Sequence, residues 1–279
     1  MLLAQQISTT TAQPRGEARR HAVMLVGHGS LRLGSGASMI RLAGHLRAAG
    51  AAPITQAAFL NYTRPSVAEG VARCIARGAE TITVLPYFLV PGWFVTSALP
   101  KQLRACQLAH PGVPIAQAAP LGDHPALARL VAQRAAEASQ RHWQRPPPPH
   151  TALLMIAHGS PDGRNNRPIY QVAERVRASG KFAHVAVCFM DLNAPSIGAA
   201  VEAAVGDGAR RVVAVPYFLQ MGNHVAEDLP QLVGEAGARF PHTPVVLAEH
   251  LGYDRALLGP LADRAAEVQR IRSEIKIEK

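Results

Sequence analysis

The chain has 279 residues and a formal net charge of +10, enough length for one large domain or two smaller ones with separate cores. No apolar run approaches the roughly 18 residues that span a bilayer. Three scattered cysteines (Cys74, Cys106, Cys188) exclude a disulfide framework and a thiolate zinc site, so a reducing cytoplasm is the expected location. The charge sits on single arginines rather than on a basic run interleaved with aromatics. Nucleic acid is therefore not an expected partner, and the charge reads either as plain solubility or as attraction for a small acidic ligand.

In chain order, residues 1–20 read as a disordered tail, because the opening MLLA is too short for a secretion signal. An apolar strand, Ala22 to Val26, runs into a His-Gly-Ser loop at His28. Met39, Ile40, Leu42, Ala43 and Leu46 then recur at helical spacing. A second strand follows at Ile54 to Leu60, a helix opened by Pro-Ser at Pro65 to Arg77, and a third strand at Thr81 to Leu85. Another helix is expected after Pro100, then a short strand at Val113 to Ala118. The segment 141–150, with four consecutive prolines, reads as an extended, semi-rigid linker.

The same order then repeats. Strands are expected at Ala152 to Ile156, His184 to Met190, Arg211 to Val215 and Pro244 to Ala248. Helices are expected around Ile169, Val172 and Val176, over Pro195 to Asp207, and after Pro230. His28 and His158, Pro65 and Pro195, Pro86 and Pro216, and Pro100 and Pro230 all share one offset of 130 residues (158 − 28). That period far exceeds the ~20–50 residues of a solenoid repeat. The reading is a duplication, with lobes at 21–140 and 151–268 and a charged tail at 269–279. Strands alternating with helices, with continuous apolar strands, give an α/β fold of parallel sheets covered on both faces.

Candidate chemistry follows from where the copies differ. Both keep the His-Gly-Ser loop, but His224 stands where the first copy has Phe94, Asp191 where it has Asn61, and Asn223 where it has Trp93. Glu227 and Asp228 replace Ser97 and Ala98. His158 and His224 would come from the carboxyl ends of neighbouring strands, where open α/β sheets bind ligands. His224 is expected in a loop before a helix. Two imidazoles and a carboxylate suit a borderline divalent ion such as Co²⁺, Fe²⁺, Ni²⁺ or Zn²⁺, and the same groups accept protons. Ser160, Arg164 and Asn165, just after the histidine, read either as a solvated helix start or as contacts for an acidic ligand, with Arg164 able to grip a carboxylate in two places. Trp93 and Phe94 read as core or as an apolar platform for a flat ring. Histidine-based phosphatase chemistry needs arginine directly before the histidine, and Gly27 and Ala157 stand there.

The strand-HGS opening, the FMDLNAPS segment and PYFLQMGNHVAEDLP together resemble the sirohydrochlorin chelatase family, the class II cobalto- and ferrochelatases, in its long duplicated form. The resemblance implies two flavodoxin-like lobes with a cleft between them. It implies insertion of Co²⁺ or Fe²⁺ into a carboxylate-rich tetrapyrrole without ATP or any other cofactor. The family's two metal-handling histidines match His158 and His224, and its acidic position, commonly Glu, matches Asp191. On this reading His28, Ser30, Ser160, Arg164, Asn165 and Asn223 line the tetrapyrrole site, and the first lobe is a degenerate copy. The protein is expected to work as a monomer or homodimer, away from membranes. A non-catalytic metal or tetrapyrrole carrier on the same fold is the alternative.

Overall fold

The computed structural model describes residues 20–30, 35–144, 149–220 and 222–277; the side chains of residues 35, 223–225 and 275–277 are outside the description, as is nearly all of the segment read as an N-terminal tail. Eight strands form two four-stranded parallel sheets. The first holds β1 (His21–Gly27), β2 (Ile54–Phe59), β3 (Thr81–Pro86) and β4 (Ile115–Gln117) in the order β2-β1-β3-β4. The second repeats it with β5 (Thr151–Ala157), β6 (His184–Phe189), β7 (Arg211–Pro216) and β8 (Val245–Leu247), in the order β6-β5-β7-β8. The parallel sheets are those expected from the alternation of elements, and the strand order fits the flavodoxin-like winding that the family resemblance implied. Its order reverses between β1 and β3, and again between β5 and β7, so the loops leaving those strands part and open a crevice.

Each strand feeds two cores, because successive side chains point to opposite faces. Val23 and Leu25 of β1 join Leu153 and Met155 of β5 in one central cluster that runs through both halves. Met24 and Val26 instead face an outer cluster with the helix α2 (Val67–Ala76) and the helix α3 (Leu99–Ala109). Leu154 and Ile156 face its counterpart under α6 (Ile197–Gly206) and α7 (Asn223–Ala238). Full burial on both faces explains why these strands read as unbroken apolar runs.

The helices on the central side are exchanged between the halves. After β4 the chain enters α4 (Pro125–Trp143), which leaves its own sheet and packs on β7, β8 and α5 (Arg167–Ala178) of the other. After β8, α8 (Leu258–Ile277) packs on β3 and α1 (Ser35–Ala48) of the first. The exchange is reciprocal down to single side chains. On α4, Arg134 donates to the carbonyls of His250 and Leu251 and pairs with Asp254 and Glu137. On α8, Arg264 donates to the carbonyls of Pro120 and Leu121 and pairs with Glu267. The Tyr87 hydroxyl also crosses, donating to the Gly252 carbonyl at 2.7 Å.

Several boundaries differ from those expected. Pro65 and Pro195 precede their helices rather than opening them, and Ser66 and Ser196 cap the first free N–H groups. At Ser66 the cap is a full box, closed by Glu69, which Ala199 cannot reproduce at Ser196. α7 begins at Asn223, with Pro230 inside it, so His224 sits in the first helical turn and not in a loop. α4 continues to Trp143, into the segment read as linker, whose residues 145–148 lie outside the described residues. The charged C-terminal segment is helix to Ile277: Gln269 bonds His21 and Thr83, and Arg272 donates to the Ile82 and Pro114 carbonyls. Its polar residues are spent on strand ends that the pattern of charge alone made look solvated.

Candidate metal and ring site

His158 follows β5 directly, so the strand fixes where its imidazole starts. The loop that carries it turns sharply at Gly159, whose φ of +93° suits only glycine. An added Cβ there would stand 2.3 Å from Asn193 Oδ1. That same oxygen accepts from the Ser160 backbone N–H at 2.8 Å and from Asn166 Nδ2 at 3.0 Å. Asn193, after β6, thus staples the histidine loop to the neighbouring strand end. In the first half Thr63 does the same to Ser30, accepting from its N–H and donating to its carbonyl.

The imidazole of His158 is exposed, and its Nδ1 lies 3.2 Å from Asp191 Oδ1. A carboxylate that accepts from Nδ1–H fixes the tautomer and leaves the Nε2 lone pair free for a ligand. The Asp191 side chain is exposed too, so the pair can change its protons with solvent. His224 enters from β7 through the first turn of α7, and β7 pairs directly with β5. The backbone therefore brings both histidines to the same end of adjacent strands. The side chains of His224 and Asn223 lie outside the described residues.

The matching position in the first half is built differently. His28 Nδ1 bonds the Gly29 carbonyl at 2.9 Å, and the ring meets Phe94 edge-on, with centroids 4.5 Å apart. The place of a second imidazole is filled by a phenyl ring, and the place of Asp191 by Asn61. His28 and His158 face one cavity of about 220 Å³ between the halves, lined on one side by Phe88 and Leu89 and on the other by Phe218 and Leu219. An open, mostly apolar crevice with a few polar groups is the usual form of a small-molecule site.

The remaining sequence candidates have structural partners. Ser160 is buried, and its hydroxyl accepts from Asn165 Nδ2 at 3.3 Å, so both residues hold the loop. Arg164 is exposed and already paired in two places with Asp162. Residues missed by sequence reasoning are Asn193, which ties the loop, and the buried Tyr87 and Tyr217 at the crevice wall; Asn166, in the run after the His-Gly-Ser motif, is buried and bonds Asn193. Asn193 had a signal, since it stands two residues before the Pro-Ser of each copy in place of Thr63. Among the described residues no cluster of three or more His, Cys, Asp or Glu could hold a metal, and no helix is long and apolar enough to cross a membrane.

A family model described as CbiX matches residues 22–138 and, separately, 152–268. The sirohydrochlorin cobaltochelatase of Priestia megaterium is 26% identical over 214 residues, covering 77% of this chain and 69% of the relative. The sirohydrochlorin ferrochelatase of the same organism is 24% identical over 209 residues, covering 74% of each. In fold, the chain is similar to SirB from Bacillus subtilis solved with Fe³⁺, at a TM-score of 0.78 and 21% identity over 89% of this chain and 95% of that one. The same SirB fold solved with cobalt superposes at a TM-score of 0.73 and 19% identity, over 89% and 94%.

Proposed function

Since this chain belongs to the CbiX family, we infer that it is a metal chelatase, inserting Co²⁺ or Fe²⁺ into sirohydrochlorin or a closely related carboxylate-rich tetrapyrrole on the route to cobalamin or sirohaem. The observation that carries the site assignment is the exposed His158, held by Asp191 at 3.2 Å at the switch point of the second sheet. His158 and His224 exchange for two waters of the ion. Imidazole with a nearby carboxylate accepts Co²⁺ and Fe²⁺ alike, and Ni²⁺ as well. Asp191 acts through His158, fixing Nδ1 so that Nε2 meets the metal.

The ring occupies the crevice between the halves, with its face toward the two histidines. As the ion enters, two pyrrole N–H protons must leave. The exposed His158–Asp191 pair passes them to water. No ATP and no resident cofactor take part, and the ion is a substrate. The net charge of +10 favours a polycarboxylate over a neutral ring. The protein works in the cytoplasm as a monomer or homodimer.

The test is to mix the purified protein with sirohydrochlorin and Co²⁺, Fe²⁺ or Ni²⁺ in turn and follow the ring's absorption. Multiple turnovers are expected, and few or none with His224→Phe, which copies the first half. One ring bound per chain without turnover would make the protein a carrier. Equal rates for His224→Phe and parent would remove the site assignment.

A further inference from the structure

The first half has no acid beside its histidine, yet the same surface carries two large exposed rings, Tyr62 and Trp93, next to Phe88 and Phe94, which pack on the outer core. Tyr62 is 68% exposed and Trp93 65%; among the described large apolar side chains only Leu108 is more exposed. Both flank His28. The Tyr62 ring lies 6.1 Å from the imidazole, Phe94 lies 4.5 Å from it, and Trp93 meets Phe94 edge-on at 5.3 Å. Phe88 stacks behind Phe94 at 6.1 Å. In the second half these positions hold Leu192, Asn223, His224 and the buried Phe218.

The backbone is also unusual on this side. Phe94–Ala98 forms a π-helical turn ahead of α3, a form that recurs at functional sites. Tyr62 has φ +59°, a left-handed conformation that is costly for a tyrosine and gains it no burial. His28 and Phe88 line the same cavity as His158, and Tyr62 and Phe94 adjoin that wall through their contacts with His28.

We propose that Tyr62 and Trp93, backed by Phe94, form a stacking surface that receives one face of a flat conjugated macrocycle while the second half presents the metal. The proposal rests on the chelatase reading and adds a role for the first half. Aromatic side chains pair with planar π systems by offset stacking and edge contacts, and they do so without regard to the carboxylates at the ring's rim. Replacing a metal ligand by phenylalanine at position 94 removes a competing ion site and leaves a surface that can only hold the ring.

The chain has two tryptophans, and the other, Trp143, lies under the Arg211 guanidinium at 5.1 Å on the far helix α4. In Trp143→Phe, emission therefore reports on Trp93 alone. Titrating metal-free sirohydrochlorin is expected to quench that emission to saturation. Tyr62→Ala and Trp93→Ala, read from the ring's own absorption, are expected to weaken ring binding by about tenfold each, as for bases stacked on aromatic residues. KM for the ring should rise with the rate at saturation nearly unchanged, and Trp93→Phe should restore most of the affinity. Normal binding and metallation with Trp93 unquenched and both alanine variants unaffected would overturn the stacking surface and leave the chelatase reading standing. Absence of ring binding by the parent protein would remove the chelatase reading itself.

Discussion

The two halves share one sheet order and one His-Gly-Ser loop, and the differences that bear on chemistry lie at the strand ends that face the crevice. In the second half the imidazole of His158 is solvent-exposed and held by a carboxylate. In the first, His28 is half-buried and packed against Phe94. The lesson is that duplication supplies a crevice with two walls, after which each wall can specialise. A macrocycle and an ion must approach one another, and two divergent walls can present them separately.

The sharpest way to break this comparison is to remove each loop histidine in turn. His158→Ala should lower chelation by about 100-fold or more, as expected for loss of a metal contact. His28→Ala should change it by about threefold or less, as proposed for a ring that packs on Phe94 and has no carboxylate beside it. Initial rates at saturating ring and metal decide it, and equal losses would make the halves equivalent.

Next come the acids. Asp191→Asn should cost about tenfold in rate, the usual scale for a group that orients a metal-bound histidine. Asn61→Asp should leave the rate unchanged, because Phe94 still blocks an ion. Adding Phe94→His to Asn61→Asp should then raise the Co²⁺ stoichiometry measured by calorimetry from one per chain to two.

The exchanged helices give a comparison in stability. Arg134 meets two carboxylates and two carbonyls, while Arg264 meets two carbonyls but one carboxylate. Truncation to alanine should cost about 2–3 kcal/mol for Arg134 and about 1–2 kcal/mol for Arg264. Denaturant midpoints measure both; equal losses would mean that the two carbonyl contacts each arginine makes dominate over the second carboxylate.

The halves are also expected to differ in their response to pH. Burial, aided by the charge of Arg272, lowers the pKa of His21 from 6.5 to about 4. Between those values the unfolded chain binds a proton that the folded chain does not, so stability is complete above 6.5 and falls as pH drops toward 4. The equivalent residue in the second half is Thr151, which does not titrate. His21→Gln should therefore flatten the pH dependence of thermal unfolding over that window.

Much of this was legible in the residues themselves. The constant offset gave the duplication, and the apolar runs gave the strands, because burial on both faces leaves no polar alternation to misread. The differences His224 for Phe94 and Asp191 for Asn61 pointed to the second half without any coordinates. Helix starts were harder to place. Pro230 suggested a boundary, yet α7 begins at Asn223 and carries the proline within it. Ser160 and Asn165 looked like ligand contacts because polar residues beside a glycine turn serve ligands and loops equally well. Only their bonds to Asn193 and to each other show the loop role.

The sequence by itself determined two copies of a parallel sheet and the strand ends from which the histidines come, since these follow from local periodicity and the constant offset; the winding was implied by the family resemblance. Tertiary structure decided which sheet each last helix covers. A duplicated chain offers two nearly identical apolar faces, so no local pattern separates α4 on its own sheet from α4 on the other. That choice joins the two halves through one central core and sets the crevice between them, because the packing energy belongs to the pair of sheets and not to either segment.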